Sequence, residues 1–135
     1  MNLKVKGIWK VSKDNIRIVL NMDFCSYYRW LFMKGTYNLH KMQLPKHSGH
    51  INVISPKIHN VDCSPFLYLN NRVVWISYGV EGNFGGFSKG FKNFWLDAEV
   101  PEADNILDFY GFKKQEGFSR IHITVCNNKS DLKNP

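Results

Sequence analysis

The sequence has few cysteines and no long apolar run. Its three cysteines, Cys25, Cys63 and Cys126, lie far apart and form no Cys-x-x-Cys spacing. An odd, scattered set of this kind is typical of reduced cytoplasmic thiols and argues against a disulfide framework. No segment approaches the ~18 consecutive apolar residues of a membrane span, and the first residues contain no apolar signal core. We therefore expect a cytoplasmic protein without a membrane anchor.

The sequence also lacks the usual patterns of metal and cofactor sites. Its histidines, cysteines and acidic residues show no metal-ligand spacing, so we expect no metal and no cofactor. Five glycines lie between Gly79 and Gly90, but no Gly-Lys-Ser/Thr follows them, so a phosphate-binding P-loop is not supported. We expect this segment to join two strands of a hairpin or to form a lid over a ligand.

Basic residues are in excess but form no long run. The 135 residues include 18 lysines and arginines against 11 acidic residues, a formal net charge of +7. A basic surface attracts polyanions, and the absence of a dense basic run favours a small anionic ligand over long duplex DNA. The hydrophobic content of 44% predicts one folded domain over residues 1–135, with a frayed polar tail at 127–135.

Alternation and turn signals predict strands and two helices. The predicted strands cover residues 3–11, 16–20, 51–55, 72–78, 91–100 and 119–126, with loop and a short strand at 60–71. One helix is predicted from an Asp23 cap to Gly35, and a second from Pro101 to Gly111. Because the order of strands and helices roughly repeats in the two halves, we expect an α+β domain whose halves face a common cleft.

Two short strands carry the same chemical pattern. One reads His50-Ile51-Asn52-Val53 and the other His122-Ile123-Thr124-Val125, with the two histidines 72 residues apart. Since residues i and i+2 of a strand share a face, each histidine shares a face with Asn52 or Thr124. Two imidazoles presented in this way can act as general acid and general base without a metal. His40, His47 and His59 lack the pattern, and we expect them at the surface or in loops.

This pair of motifs resembles the two-histidine (2H) phosphoesterase superfamily, over roughly residues 16–127. Within it, the chain is most similar to short phage enzymes that cleave cyclic oligonucleotide alarm signals, the anti-CBASS phosphodiesterases. The resemblance implies an α+β, two-lobed fold with antiparallel β-sheets facing a central cleft and helices outside. It also implies metal-independent hydrolysis of 3′-5′ bonds in cyclic di- or trinucleotide second messengers, in the cytoplasm of an infected bacterium.

The resemblance assigns roles to the four motif residues. One of His50 and His122 would accept a proton from the attacking hydroxyl or water, and the other would protonate the leaving oxygen. Thr124 and Asn52 would donate hydrogen bonds to the phosphoryl oxygens. Asn52 departs from the family, which usually has threonine or serine there; its amide can still donate, but with altered geometry.

Further residues are candidates for substrate binding. Tyr78, Phe84 and Phe87 lie in or beside the glycine-rich segment, where aromatic rings could stack on bases. Trp75 and Trp95 are strand residues that we expect in the core, with Trp75 also retained as a stacking candidate. The basic residues Lys89, Lys92 and Arg120 are candidate phosphate contacts.

Three other functions remain open from the sequence. One is an enzyme for RNA 2′,3′-cyclic ends or 2′-5′ linkages, and another is a non-catalytic cyclic-nucleotide sponge, which Asn52 makes conceivable. The third is a β-rich protein–protein module in which the motifs are coincidental. The short chain also leaves room for an oligomer in which a partner subunit completes the site.

Overall fold

The structure is a computed structural model that describes residues 3–35, 42, 44, 49–86, 92–113 and 120–127. The strands are β1 (Leu3–Val11), β2 (Ile16–Leu20), β3 (His50–Ile54), β4 (Val73–Tyr78), β5 (Asn83–Gly86), β6 (Lys92–Glu99) and β7 (Ile121–Asn127). The helices are α1 (Met22–Gly35) and α2 (Pro101–Phe109), and a 3₁₀ helix covers Ser64–Leu69. The sequence therefore predicted the long strands to within about two residues, whereas the 3₁₀ helix replaces the predicted loop and short strand.

The strands form one closed antiparallel barrel. Around it the order is β4, β1, β2, β3, β7 and β6, and β6 closes the ring by pairing with β4 through Ala98 and Tyr78. The additional strand β5 pairs with the first half of β6. Side chains alternate between the two faces, so that Ile16, Ile18 and Leu20 of β2 are buried inside the barrel.

The prediction of a two-lobed α+β fold with a central cleft is wrong. The two motif strands, β3 and β7, are neighbours in the same sheet instead of facing each other across a cleft. In two open halves, some strands would be edge strands with one unpaired side. Closure of the barrel gives each of these strands a hydrogen-bonded partner on both sides. Such pairing joins residues far apart in the chain, and the order of elements along the sequence does not specify it.

Helix α1 covers one end of the barrel. Its residue Cys25 is fully buried, and the hydroxyls of Tyr28 and Tyr78 lie 2.9 Å apart in a hydrogen bond. Phe32 stacks on Phe94 near the start of β6, with 4.3 Å between the ring centroids. The side chain of Asn21 accepts a hydrogen bond from the Asp23 amide at 2.8 Å, so Asn21, and not Asp23 as predicted, caps the helix.

The opposite end is covered by α2 and the 3₁₀ helix. Helix α2 begins with proline, as predicted, and buries Ala103, Ile106 and Leu107. Arg120 joins α2 to the start of β7, because its guanidinium lies 2.8 Å from the Asp108 carboxylate and also donates to the Phe112 carbonyl. In the described ranges, neither helix is long and apolar enough to cross a membrane.

Candidate functional site

The two motif strands present their polar side chains on the outer wall of the barrel. On β3, His50 is half-buried and Asn52 exposed, while Ile51 and Val53 are buried in the core. On β7, His122 is exposed and Thr124 half-buried, and the intervening isoleucine points inward. The strand alternation therefore places each histidine and its polar neighbour on one face, as the sequence predicts.

The strand register brings the two histidines together. His50 lies directly across from Thr124, so the antiparallel pairing makes His50 and His122 diagonal neighbours. Diagonal neighbours on adjacent strands have Cα atoms about 7–8 Å apart, within reach of two imidazole rings. The proximity of His50 also lowers the pKa of His122. Thr124, which carries a hydroxyl, lies directly across from His50 and two residues after His122 on the same face of β7.

Strand β6 adds two residues that the sequence motifs did not reveal. Asp97 pairs directly with His122, and Trp95 pairs with Thr124. The Trp95 and His122 rings lie 5.9 Å apart between centroids, tilted by 52°. The Asn83 amide donates a hydrogen bond of 3.2 Å to the Asp97 carboxylate. The only sequence signal for these two residues was an alternating Trp-x-Asp in a predicted strand. This pattern does not show which strand pairs with β6.

Three effects set the pKa of His122. Removal of water from part of the ring is the largest and lowers the pKa; the Asp97 carboxylate raises it, and His50 lowers it. The net shift is downward from the ordinary value of 6.5. His122 is therefore neutral at neutral pH and can accept a proton, and Asp97 can stabilise the imidazolium that results.

The polar surface continues from the histidines toward β1. Arg17 on β2 pairs with Asn52, and Lys10 on β1 pairs with Arg17. If the antiparallel register of His50 with Thr124 continues, Asn52 lies directly across from His122. Together these residues form a polar row across five strands, which runs from Lys10 through Arg17, Asn52 and His122 to Asp97. We call this set the polar row.

The structure separates the predicted aromatic contacts from the histidine face. Trp75 was expected in the core, and this is wrong: its side chain is 60% exposed on the outer wall of β4. Trp95 is half-buried on the outer wall beside His122, which also contradicts the expected core position. Tyr78 is buried and faces α1 instead of the outer wall.

The predicted basic contacts are also dispersed. The Arg120 side chain is only 10% exposed and forms an ion pair with α2. Lys92 begins β6 and is half-buried. The side chain of Phe84 and the residues Phe87 and Lys89 lie outside the described residues.

His59 has a structural environment. Its Nδ1 accepts a hydrogen bond of 2.9 Å from the Ser55 amide, and its ring packs on Phe112 with 4.6 Å between centroids. Loss of water around the ring lowers its pKa. This histidine therefore supports a turn after β3, apart from the two motif histidines.

Within the described ranges, no three histidine, cysteine or acidic side chains are grouped closely enough to hold a metal ion. All three cysteines are buried free thiols, and burial raises the pKa of Cys25 to about 11. Comparison of the chain with protein-family models, with curated proteins and with solved structures finds no match.

Proposed function

We propose that the outer face of β3 and β7 binds a small phosphodiester and cleaves it by acid–base catalysis between His122 and His50. The observation that carries this proposal is the pairing of His50 with Thr124, which sets one hydroxyl beside two imidazoles. A phosphoryl group at Thr124 could contact both rings. No other described part of the chain combines two such histidines with a hydroxyl between them.

His122 is the proposed general base and His50 the proposed acid. The lowered pKa keeps His122 neutral, so Nδ1 or Nε2 can accept the proton of the attacking 2′-hydroxyl or water. As the new P–O bond forms, the bond from phosphorus to the leaving oxygen breaks, and His50 transfers its proton to that oxygen. The carboxylate of Asp97, opposite His122, stabilises the imidazolium during the step.

Thr124 and Asn52 have proposed roles at the phosphoryl oxygens. The Thr124 hydroxyl and the Asn52 amide can each donate a hydrogen bond to a non-bridging oxygen, where negative charge increases in the transition state. Both side chains belong to the same outer face as the histidines. The histidines supply both proton transfers, so the proposed reaction uses no metal ion.

The proposed substrate is a cyclic di- or trinucleotide, and the proposed setting is the cytoplasm of an infected bacterium. Trp95 adjoins His122 and offers an aromatic ring on which a base can stack. The net charge of +7 favours a polyanionic ligand. Hydrolysis of such a messenger would remove an anti-phage alarm signal, and RNA 2′,3′-cyclic ends or 2′-5′ linkages are the alternative substrates.

The second candidate function is binding of the same nucleotides without turnover. It is favoured by the position of His122, which is exposed on the outer wall of a barrel. Efficient phosphoryl chemistry usually excludes bulk water from the reacting groups. A sponge needs only the basic and aromatic contacts, and the altered motif residue Asn52 is compatible with it.

The deciding experiment is incubation of the protein with cyclic di- and trinucleotides and with one RNA 2′,3′-cyclic phosphate, in the presence of EDTA. Linear or opened products are identified by chromatography and mass. The variants are His122→Gln and His50→Gln, and the matched control is His59→Asn, whose amide oxygen can still accept from the Ser55 amide. Turnover that is lost in both motif variants but kept in the control supports the enzyme.

Two other results would change the conclusion. Tight binding without product, in the wild type, supports the sponge. Turnover that persists in both glutamine variants, or neither turnover nor binding for any ligand, contradicts a function at this face.

A further inference from the structure

We infer that the hollow at the end of the β1–β2 hairpin, beside Asn70, is a second anion-binding subsite, which holds another phosphate of the ligand bound at the histidines. The hollow measures about 310 Å³ and is lined by Lys10, Val11, Ser12, Asn15, Arg17 and Asn70. This inference rests on the proposed function for the identity of the whole ligand. The hollow itself can be tested separately.

Two like charges, Lys10 and Arg17, lie side by side at this hollow. Lys10 and Arg17 are directly paired across two antiparallel strands, an arrangement that is unfavourable for like charges. The Lys10 ammonium donates a hydrogen bond of 2.6 Å to the neutral side chain of Asn71. Neither cation forms an ion pair with a carboxylate of the described residues. A bound phosphate would relieve this repulsion and could accept hydrogen bonds from the Arg17 guanidinium.

The other lining groups suit an oxyanion. Ser12 carries a hydroxyl, which donates a long hydrogen bond of 3.4 Å to the Asp14 carboxylate, and Asn15 and Asn70 carry amide groups. The Asn70 side-chain oxygen already accepts from the Val11 amide at 2.9 Å, and this bond fixes the orientation of the side chain. The hollow thus combines two cations with neutral polar groups, and the Asp14 carboxylate is hydrogen-bonded to one of them, Ser12.

The subsite is continuous with the histidine face through the polar row. Arg17 pairs with Asn52 on β3, and β3 pairs with β7, the strand of His122. Adjacent strands lie about 4.8 Å apart, so Arg17 and His122 are separated by about 10 Å across the wall. A molecule with two phosphate groups could place one at Thr124 and the other at Arg17. A ligand with a single phosphate could occupy only one of these positions.

The first test uses inorganic pyrophosphate alone and follows backbone amides by NMR. We expect saturable shifts at Lys10 to Ser12 and at Asn15 to Arg17, in the wild type and equally in His122→Gln. Arg17→Gln and Lys10→Gln should each weaken binding about tenfold. Lys34→Gln, on α1 at the other end of the barrel, removes the same charge and should have no effect. Shifts elsewhere only, or shifts unchanged by Arg17→Gln, would overturn the subsite.

The second test joins the subsite to the histidine face. In the His122→Gln background, binding of a cyclic dinucleotide and of 3′,5′-cyclic AMP is compared with and without Arg17→Gln. The subsite predicts about a tenfold loss for the ligand with two phosphates and less than about twofold for the ligand with one. Equal losses for both ligands would overturn the spanning mode. Pyrophosphate binding in the hollow together with no nucleotide binding at all would contradict the proposed function and the spanning mode, and leave the anion site in place.

Discussion

His50 and Thr124 face each other directly across β3 and β7, although 74 positions separate them in the sequence. Around this pair the outer wall also carries His122, Asp97 and Trp95, all from neighbouring positions of the sheet. Each of these side chains has a proposed role in proton transfer, in stabilising the imidazolium or in stacking on a base.

Replacing Thr124 with valine should reduce turnover while preserving the fold. Valine keeps the β-branched shape but lacks the hydroxyl, so the transition state would lose a hydrogen-bond donor, and we expect kcat to fall about a hundredfold. Thr124→Ser, which keeps a hydroxyl, should retain most activity. The measurement is kcat and KM for a cyclic dinucleotide with EDTA present. Equal activity of the valine and serine variants would contradict the role of the hydroxyl.

The stability of the protein should decrease on acidification, and His122 should account for part of the loss. Its pKa in the folded state lies below the ordinary value of 6.5. At pH values between these two pKa values, the unfolded chain therefore binds more protons than the folded protein. Stability therefore rises with pH through this window and is lost as pH falls below about 6.5 toward the folded pKa. The exposure of the ring keeps this contribution small.

Urea unfolding at about pH 7.5 and about pH 5.5 measures this effect. His122→Gln should show a smaller decrease than the wild type. His59→Asn should also show a smaller decrease, because the pKa of His59 is shifted in the same direction. A decrease in His122→Gln as large as that of the wild type would refute the lowered pKa.

Trp95 and Trp75 should differ in nucleotide binding. Both lie on the outer wall, but only Trp95 contacts a motif histidine. Since stacking of one base on an aromatic ring is worth about 1–3 kcal/mol, Trp95→Ala should weaken nucleotide binding about tenfold or more. Trp75→Ala should leave the affinity unchanged. Titration calorimetry in the His122→Gln background gives both values, and a larger loss in Trp75→Ala would move the binding face to β4.

Arg120 should matter for stability more than for substrate binding. Its guanidinium contacts the Asp108 carboxylate and the Phe112 carbonyl, and the side chain is 10% exposed. Arg120→Ala removes a charged hydrogen-bonding group from these partners and should lower the free energy of unfolding by about 1.5–3 kcal/mol. KM should be unchanged under conditions where the variant is folded. An increase in KM with unchanged stability would instead support a phosphate contact.

Gly49 should not tolerate a side chain. Gly49 directly precedes His50, and a Cβ at this position would lie 2.3 Å from the sulfur of Cys25 on α1. Gly49→Ala should therefore lower the free energy of unfolding by about 1–3 kcal/mol. Adding Cys25→Ala removes the sulfur and should restore part of this loss. If the free energy of unfolding of the double variant equals the value expected from adding the two single losses, this clash is excluded.

The sequence by itself determined the long strands, the two α-helices and the faces of individual strands. Alternation at Ile16–Leu20 and in the two motifs is a local property, because successive residues of any strand point to opposite sides. It was therefore sufficient to place His50 with Asn52 and His122 with Thr124. The helix beginning at Pro101 followed equally from local preference.

Only the tertiary structure decided which strands are neighbours. Pairing of β3 with β7 and of β4 with β6 closes a barrel where two lobes were expected, and it brings Asp97 to His122. These contacts depend on backbone hydrogen bonds, which any residue except proline can supply, so side-chain patterns carry little information about them. For the same reason an aromatic strand residue such as Trp75 could be assigned to the core or to the surface only after the barrel was closed.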